Sequence, residues 1–149
     1  MAAVIQKNFP NVEVIVEDCQ KKLPFDDNYF DRALAIHVLE HLPNLPSALN
    51  QIWRVLKPHG LFSVCIPCEG GIAYSLARKT SAKRVFKKYF PGIDYDNVIV
   101  ADEHINSPEE IFDELSVLFK IVNKRYFLFL FPSTNLNLGI GITLSPINK

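Results

Sequence analysis

Residues 31–67 read DRALAIHVLEHLPNLPSALNQIWRVLKPHGLFSVCIP, and this stretch predicts a strand, a turn, a helix and a second strand. DRALAI (31–36) is a short, nearly continuous apolar run, as in a strand buried on both faces of a sheet. SALNQIWRVLK (47–57) repeats apolar residues at helical spacing and ends at a Pro-His-Gly stop. LFSVCIP (61–67) follows at once as a strand.

The sequence on either side continues the alternation of strands and helices. VEVIV (12–16) is a β-branched run that predicts a strand, and Ser107 with Glu110 forms the capping box of a later helix. YFLFLF (126–131) and NLNLGIGITL (135–144), joined by a Pro-Ser turn, predict a closing antiparallel pair. This order is typical of an α/β doubly wound fold, in which ligands bind at the carboxyl ends of the strands.

Composition bounds the class of protein. The chain has 149 residues, which is the size of one domain, and its 48% apolar and 21% charged residues are ordinary for a globular protein. Sixteen basic and sixteen acidic residues cancel, so the global charge gives no clear indication of a nucleic-acid partner. No apolar run is long enough to span a membrane, the first residues lack the basic-then-apolar pattern of a leader, and three cysteines make no disulfide framework. We therefore expect a reduced, cytoplasmic protein.

HVLEH (37–41) contains the H-x-x-E-H pattern of an inverted zinc peptidase. Such a site needs about two helical turns, so that both histidines project from one face of the helix. Here the pattern follows a strand directly, and Pro43 and Pro46 end any helix soon afterwards. The sequence therefore predicts no metal site.

Cys65 lies within a predicted strand and Cys68 follows it, so neither is at a helix N-terminus, where a thiol pKa would be lowered. The sequence therefore predicts two neutral thiols rather than a redox pair.

A family resemblance organises these elements. An acidic residue after a strand is followed by Leu-Pro-Phe, by Phe-Asp before a buried strand, by Val-Leu-Glu-His after it, and by a helix ending Val-Leu-Lys-Pro-x-Gly. In this order the elements resemble the middle of a class I S-adenosylmethionine-dependent methyltransferase, closely over residues 4–67. The resemblance implies a Rossmann-like sheet and S-adenosylmethionine as the cofactor.

The resemblance also implies site residues. The Asp18 carboxylate would accept a hydrogen bond from the adenine amino group, and the Cys19 amide would donate to a ring nitrogen. Leu23 begins an apolar wall near the adenine, and Ala35 and Ile36 end the strand that lies along the methionine part of the cofactor.

His37 and His41 are the catalytic candidates, because an imidazole titrates near neutral pH and can act as a general base. The alternative, which the sequence leaves open, is that both are hydrogen-bonded turn residues. Methyl transfer from a sulfonium needs little acid–base help, since the main task is to hold donor and acceptor in line.

One part of the family pattern is absent from the chain: the glycine-rich cofactor loop and the next strand, whose terminal acid binds the ribose. We expect residues 1–149 to form a single, N-terminally incomplete methyltransferase domain. The family's strand order places the two absent strands between VEVIV and DRALAI. Without those two strands, either an apolar edge lies bare, or the chain re-pairs, or another chain fills the gap. A bare edge favours self-association.

Residues 72–106 form a basic insertion of helical character, with Lys79, Lys83 and Lys87 on one stripe. Such a stripe is often a solvated face, but it can also meet anionic lipid, nucleic acid or an acidic substrate.

The expected function is methyl transfer to a small-molecule acceptor, and the basic stripe favours an anionic acceptor. The alternative is a non-catalytic, methyltransferase-like module that associates through its open sheet edge.

Overall fold

The computed structural model describes residues 2–95, 105–128 and 131–149. Residues 96–104 of the predicted insertion and residues 129–130 of YFLFLF lie outside the described residues. The helices are α1 (Ala2–Asn8), α2 (Leu45–Val55), α3 (Ile72–Ala77), α4 (Lys83–Tyr89) and α5 (Pro108–Leu118). The strands are β1 (Phe30–Ile36), β2 (Leu56–Pro67), β3 (Phe119–Phe127) and β4 (Gly139–Pro146). Of the described helices, none is long and apolar enough to cross a bilayer.

The four strands form one mixed sheet in the order β1-β2-β4-β3. β1 and β2 are parallel, which the crossover through α2 requires, and β4 pairs antiparallel with both β2 and β3. The predicted α/β class and the closing antiparallel pair are therefore confirmed. β3 starts at Phe119 rather than Tyr126, because it pairs with β4 along its whole length, from Phe119 opposite Pro146 to Phe127 opposite Gly139.

One face of the sheet, the inner face, carries the core. Phe62 of β2 is fully buried, and its ring centroid lies 5.4 Å from that of Phe119. α2 and α5 pack on this face and contact each other, so the helical stripe predicted from SALNQIWRVLK is buried as expected. The buried residues that the two helices contribute are Leu45, Ala48, Leu49, Val55, Pro108, Ile111 and Leu115.

β1 corrects one prediction, because it is not buried on both faces. Only Ala35 of this strand is buried, whereas Leu34 is 65% exposed and Ile36 is 62% exposed. Leu34 lies opposite Ser63, and Ile36 opposite Cys65, so these four side chains share the outer face of the sheet. Among the described strands, β2 is the single neighbour of β1, which leaves the other edge of β1 open.

The prediction of a strand at VEVIV is also wrong. Residues 13–18 have no regular secondary structure, and Val12, Ile15 and Val16 are exposed. A β-branched run has strand propensity, but a strand exists only when a neighbour supplies hydrogen bonds along its length. None of the described strands pairs with this segment.

The capping box predicted at the start of α5 is present. The Ser107 hydroxyl accepts from the Glu110 amide at 3.3 Å, and the Ser107 amide donates to the Glu110 carboxylate at 2.7 Å. This second bond holds the pKa of Glu110 below its ordinary value of 4.5. The box therefore satisfies two of the amide groups that a helix N-terminus leaves without partners.

We expect Ser107→Ala to lower the free energy of unfolding by about 1 kcal/mol, because the Glu110 amide loses its acceptor. Urea denaturation at neutral pH measures the loss. The folded pKa of Glu110 is depressed, so its contribution is full above the ordinary value of 4.5 and is lost as the pH falls through the folded pKa. An unchanged denaturation midpoint in Ser107→Ala would contradict the role of the cap.

Candidate functional site

The chain turns sharply where β1 ends, at the carboxyl edge of the parallel pair. The backbone amide of His37 donates to the carbonyl of Cys65 on β2 at 3.0 Å, which extends the pairing by one residue. His37 has a φ of +52°, a left-handed conformation that is uncommon for a residue other than glycine. This conformation ends the strand and directs the chain into the turn before α2.

Glu40 is the most unusual side chain at this edge of the sheet. It is only 2% exposed, although carboxylates are rarely buried without partners. One carboxylate oxygen, Oε1, lies 3.2 Å from Nδ1 of the His37 imidazole. The other, Oε2, is buried and accepts no hydrogen bond from any described residue. A buried oxygen of this kind is costly unless a donor or a cation reaches it.

The turn that carries Glu40 is held by a distant part of the chain. The amides of Ile105 and Asn106 donate to the Glu40 carbonyl at 2.8 and 3.1 Å. The Asn106 side-chain amide donates to the carbonyls of Leu39 and Leu42, both at 2.8 Å. The backbone of the turn that carries Glu40 is therefore fixed by the segment before α5.

The H-x-x-E-H pattern forms a single 3₁₀ turn, Leu39–His41, and His37 lies before it. The two histidines thus do not project from one face of a two-turn helix, which the zinc arrangement would require. His41 is exposed at the end of the turn, and its amide donates to the Val38 carbonyl at 3.1 Å. Within the described ranges, no group of three or more His, Cys, Asp or Glu side chains could hold a metal ion.

Asp18 lies in a loop that is tied to the start of α2. Its Oδ1 accepts from the amide and the side-chain nitrogen of Gln20, at 3.0 and 3.1 Å, and these bonds lower its pKa. The side-chain oxygen of Gln20 in turn accepts from the Asn44 amide at 2.7 Å, next to the first residue of α2. Cys19 is half-buried, and burial raises the pKa of its thiol.

Leu23 is held by Gln51 and Arg54 of α2. Its amide donates to Gln51 Oε1 at 3.2 Å, and its carbonyl accepts from Arg54 Nη2 at 3.0 Å. Arg54 Nη1 also donates to the Phe25 carbonyl at 2.8 Å and to the Asp27 carboxylate at 2.7 Å. The guanidinium therefore fixes the loop that carries the predicted apolar wall.

The side chain of Leu23 lines a cavity of about 390 Å³. Asp18 and Cys19 are not among the residues that line it. The other lining residues are Glu13, Ile15, Glu17, Phe25, Tyr29 and Phe30. The structure thus separates the predicted cofactor residues into two groups, the loop and cavity at 13–30 and the end of β1 at Ala35 and Ile36.

Two thiols near the site, those of Cys65 and Cys68, have pKa values above the ordinary range. Burial and the charge of Glu40 raise the pKa of Cys65. Burial raises the pKa of Cys68 to about 11, and its side chain is fully buried. Both remain neutral near pH 7, in agreement with the interpretation from the sequence, because the thiolate is the reactive form.

Three residues important for this geometry were not predicted as site residues: Glu40, Gln20 and Arg54. Glu40 did appear in the H-x-x-E-H pattern, three residues after His37, and this spacing was the available signal. Gln20 and Arg54 are polar residues in ordinary contexts, and nothing in their local sequence distinguishes them.

The end of β1 has the charge that the cofactor implied by the resemblance requires. At its methionine end, S-adenosylmethionine carries a positive sulfonium, a positive amino group and a negative carboxylate, so that this end has a net positive charge. Glu40 offers a buried carboxylate there, with one oxygen that accepts no hydrogen bond from the described part of the chain. A cation or a charged donor would satisfy that oxygen, so the residues present fit this group.

Part of this chain is similar in sequence to known methyltransferases. The model of the methyltransferase domain family matches residues 1–64. Sterol 4-C-methyltransferase strm-1 of Caenorhabditis elegans is 48% identical over 52 residues, which cover 35% of this chain and 15% of the relative. The ubiquinone/menaquinone biosynthesis C-methyltransferase UbiE of Rickettsia prowazekii is 40% identical over 58 residues, covering 39% and 23% of the two chains. The match therefore spans less than a quarter of either relative.

The fold extends the likeness over nearly the whole chain. The crystal structure of an S-adenosylmethionine-dependent methyltransferase of Thermotoga maritima superposes with a TM-score of 0.64 and 20% identity, over 97% of this chain and 68% of that one. The matched family model covers the loop and the turn that carry Asp18, His37 and Glu40. The family model shows similarity to methyltransferases over residues 1–64, which are less than half of the chain, and the structural comparison shows that the fold is shared.

Proposed function

We propose that this chain provides the adenine side and the methyl-donor end of an S-adenosylmethionine-dependent methyltransferase site that acts on a small molecule. The observation that carries the proposal is the buried Glu40 carboxylate at the end of β1, with its unsatisfied Oε2.

Each of the predicted cofactor residues has a role in this proposal. Asp18 and the Cys19 amide would bind the adenine, and Leu23 would lie against it. Ala35 and Ile36 would place their backbone along the methionine part, beside Glu40. When bound, the cofactor supplies an electrophilic methyl group, while these residues hold and orient it and keep water away.

His37 remains the better of the two catalytic candidates. Its Nδ1 is occupied by Glu40 at 3.2 Å, which leaves Nε2 to accept a proton from an acceptor molecule. Glu40 thereby fixes the orientation of the ring. His41 lies farther along the turn and is exposed, so we propose that it borders the acceptor rather than taking its proton.

The names of the relatives suggest the acceptor class. They are C-methyltransferases of sterols and of ubiquinone or menaquinone biosynthesis, and these compounds are apolar ring molecules. We propose a carbon of such a molecule as the methyl acceptor. An anionic group on the acceptor, which the basic stripe favours, stays a prediction.

Titration calorimetry of the 149-residue chain with S-adenosylhomocysteine tests this function. We expect saturable binding, weakened about tenfold or more by Asp18→Ala, because the adenine amino group loses its acceptor. Asp26→Ala is the matched control, since it removes an exposed carboxylate from the same region. Absence of heat at millimolar ligand, or equal loss in both variants, would contradict the proposal.

A second candidate is supported by the open edge of β1. Leu34 and Ile36 are exposed there, and a strand with one neighbour can pair with another chain. On this view the chain is a non-catalytic module that associates through the edge. Binding of a partner chain together with a failure to bind S-adenosylhomocysteine would favour it.

A further inference from the structure

We propose that residues 72–93, here called the basic arm, dock on the surface of an anionic lipid bilayer. The arm comprises α3, the π-helical turn Arg78–Ala82, α4 and the residues that follow. The three helical pieces run without interruption from Ile72 to Tyr89. This inference goes beyond methyl transfer and does not depend on it.

The arm has a strong local charge in a chain whose formal net charge is zero. No aspartate or glutamate occurs between Glu69 and Asp94. The basic residues in that interval are Arg78, Lys79, Lys83, Arg84, Lys87 and Lys88. A cluster of this size attracts anionic headgroups, with each basic residue near the surface strengthening binding by about fivefold.

Large apolar side chains are exposed on the same segment. Ile72 is 72% exposed, Leu76 is 61% exposed and Tyr89 is 68% exposed. Val85, Phe90 and Ile93 are exposed as well. Apolar and cationic side chains mixed on one accessible helical segment are typical of peripheral membrane helices, whose apolar groups enter the headgroup region.

Contacts on the inner side hold the arm to the rest of the chain. The ring of Phe86 lies 5.2 Å from that of Tyr95, which follows the arm and is only 7% exposed. α3 also contacts the 3₁₀ turn Thr134–Leu136. Tyr74 and Ala77 line a cavity of about 220 Å³ together with Leu138, which lies just before β4. The exposed residues therefore lie on the remaining surface, where they are accessible.

The side chains favour lipid over nucleic acid. Lysines and arginines bind phosphates in either partner, so the charge alone does not separate the two. Aliphatic Ile72, Leu76 and Val85 gain little from a nucleic acid, which is bound through phosphate contacts and aromatic stacking. In a bilayer the same side chains leave water, and this is favourable.

Co-sedimentation of the full chain with large unilamellar vesicles tests the proposal. We expect binding to phosphatidylcholine vesicles that contain about 30% phosphatidylserine and much weaker binding to pure phosphatidylcholine. The triple variant Lys79→Gln, Lys87→Gln, Lys88→Gln should lower the partition coefficient at least about tenfold. A triple variant with the same change in net charge, Lys7→Gln, Lys22→Gln, Lys120→Gln, should stay within about twofold of the unchanged chain.

A second variant tests the apolar contribution. Ile72→Ser, Leu76→Ser, Tyr89→Ser should also weaken binding to anionic vesicles, and circular dichroism checks that each variant keeps its helix content. Equal vesicle binding by the two lysine variants would overturn the proposal. So would an absence of vesicle binding, or binding of a single-stranded oligonucleotide in preference to the vesicles.

Discussion

The double variant Leu34→Lys, Ile36→Lys is expected to be monomeric at concentrations where the unchanged chain forms dimers or larger species. Both side chains are more than half exposed on β1, whose second edge has no partner among the described strands. An exposed apolar edge strand is a template for pairing with another chain, and lysines on such a strand prevent it. The expected change is at least a twofold drop in mass.

Sedimentation velocity at several protein concentrations measures this change. Val85→Lys, Val117→Lys is the matched control, because it adds the same charge at exposed apolar residues away from β1. We expect the control to associate like the unchanged chain. A monomeric unchanged chain, or a control that dissociates equally, would show that the edge of β1 is not the contact.

The elements that the sequence predicted well are those determined by neighbouring residues. The helix predicted over 47–57 occurs as α2, which ends at Val55, and the strand predicted over 61–67 occurs within β2, which begins at Leu56 and includes the expected Pro-His-Gly stop. Ser107 with Glu110 forms a local motif. The strand predicted at VEVIV does not form, because a strand needs a hydrogen-bonding partner and none of the described strands pairs with this segment. Leu34 and Ile36 were expected to be buried for the same reason: the pattern reports hydrophobicity, whereas burial requires something to cover it.

The site shows the same division between local and distant causes. The family resemblance assigns Asp18 and His37 to the site. His37 directly follows β1, as that resemblance implies, whereas no strand forms over residues 13–18. Glu40 could not be recognised as a buried carboxylate, because its turn is fixed by Asn106, more than 60 residues away. Arg54 was missed because its partners, Leu23 and Phe25, lie in a loop about 30 residues earlier, and the pattern of the helix carries no information about that loop.

Glu40→Gln is expected to weaken S-adenosylmethionine binding by about 10- to 100-fold with little loss of fold stability. The amide keeps the size of the side chain and can still accept from His37, so the turn should persist. What it removes is the negative charge, and a charged hydrogen bond contributes about 1.5–3 kcal/mol. Calorimetry with the cofactor measures the loss, and thermal unfolding without ligand measures the stability.

The affinities of Glu40→Gln for S-adenosylmethionine and for S-adenosylhomocysteine then show which positive group of the cofactor lies near Glu40. S-adenosylmethionine carries the sulfonium and the amino group, whereas S-adenosylhomocysteine carries the amino group alone. If Glu40 Oε2 faces the amino group, Glu40→Gln weakens both ligands equally; if it faces the sulfonium, the loss is larger for S-adenosylmethionine. Asp113→Asn, which neutralises an exposed carboxylate on α5, should leave both affinities unchanged. Equal affinities in Glu40→Gln and the unchanged chain would mean that the buried carboxylate only supports the turn, and the strongest support for the proposed cofactor site would be gone.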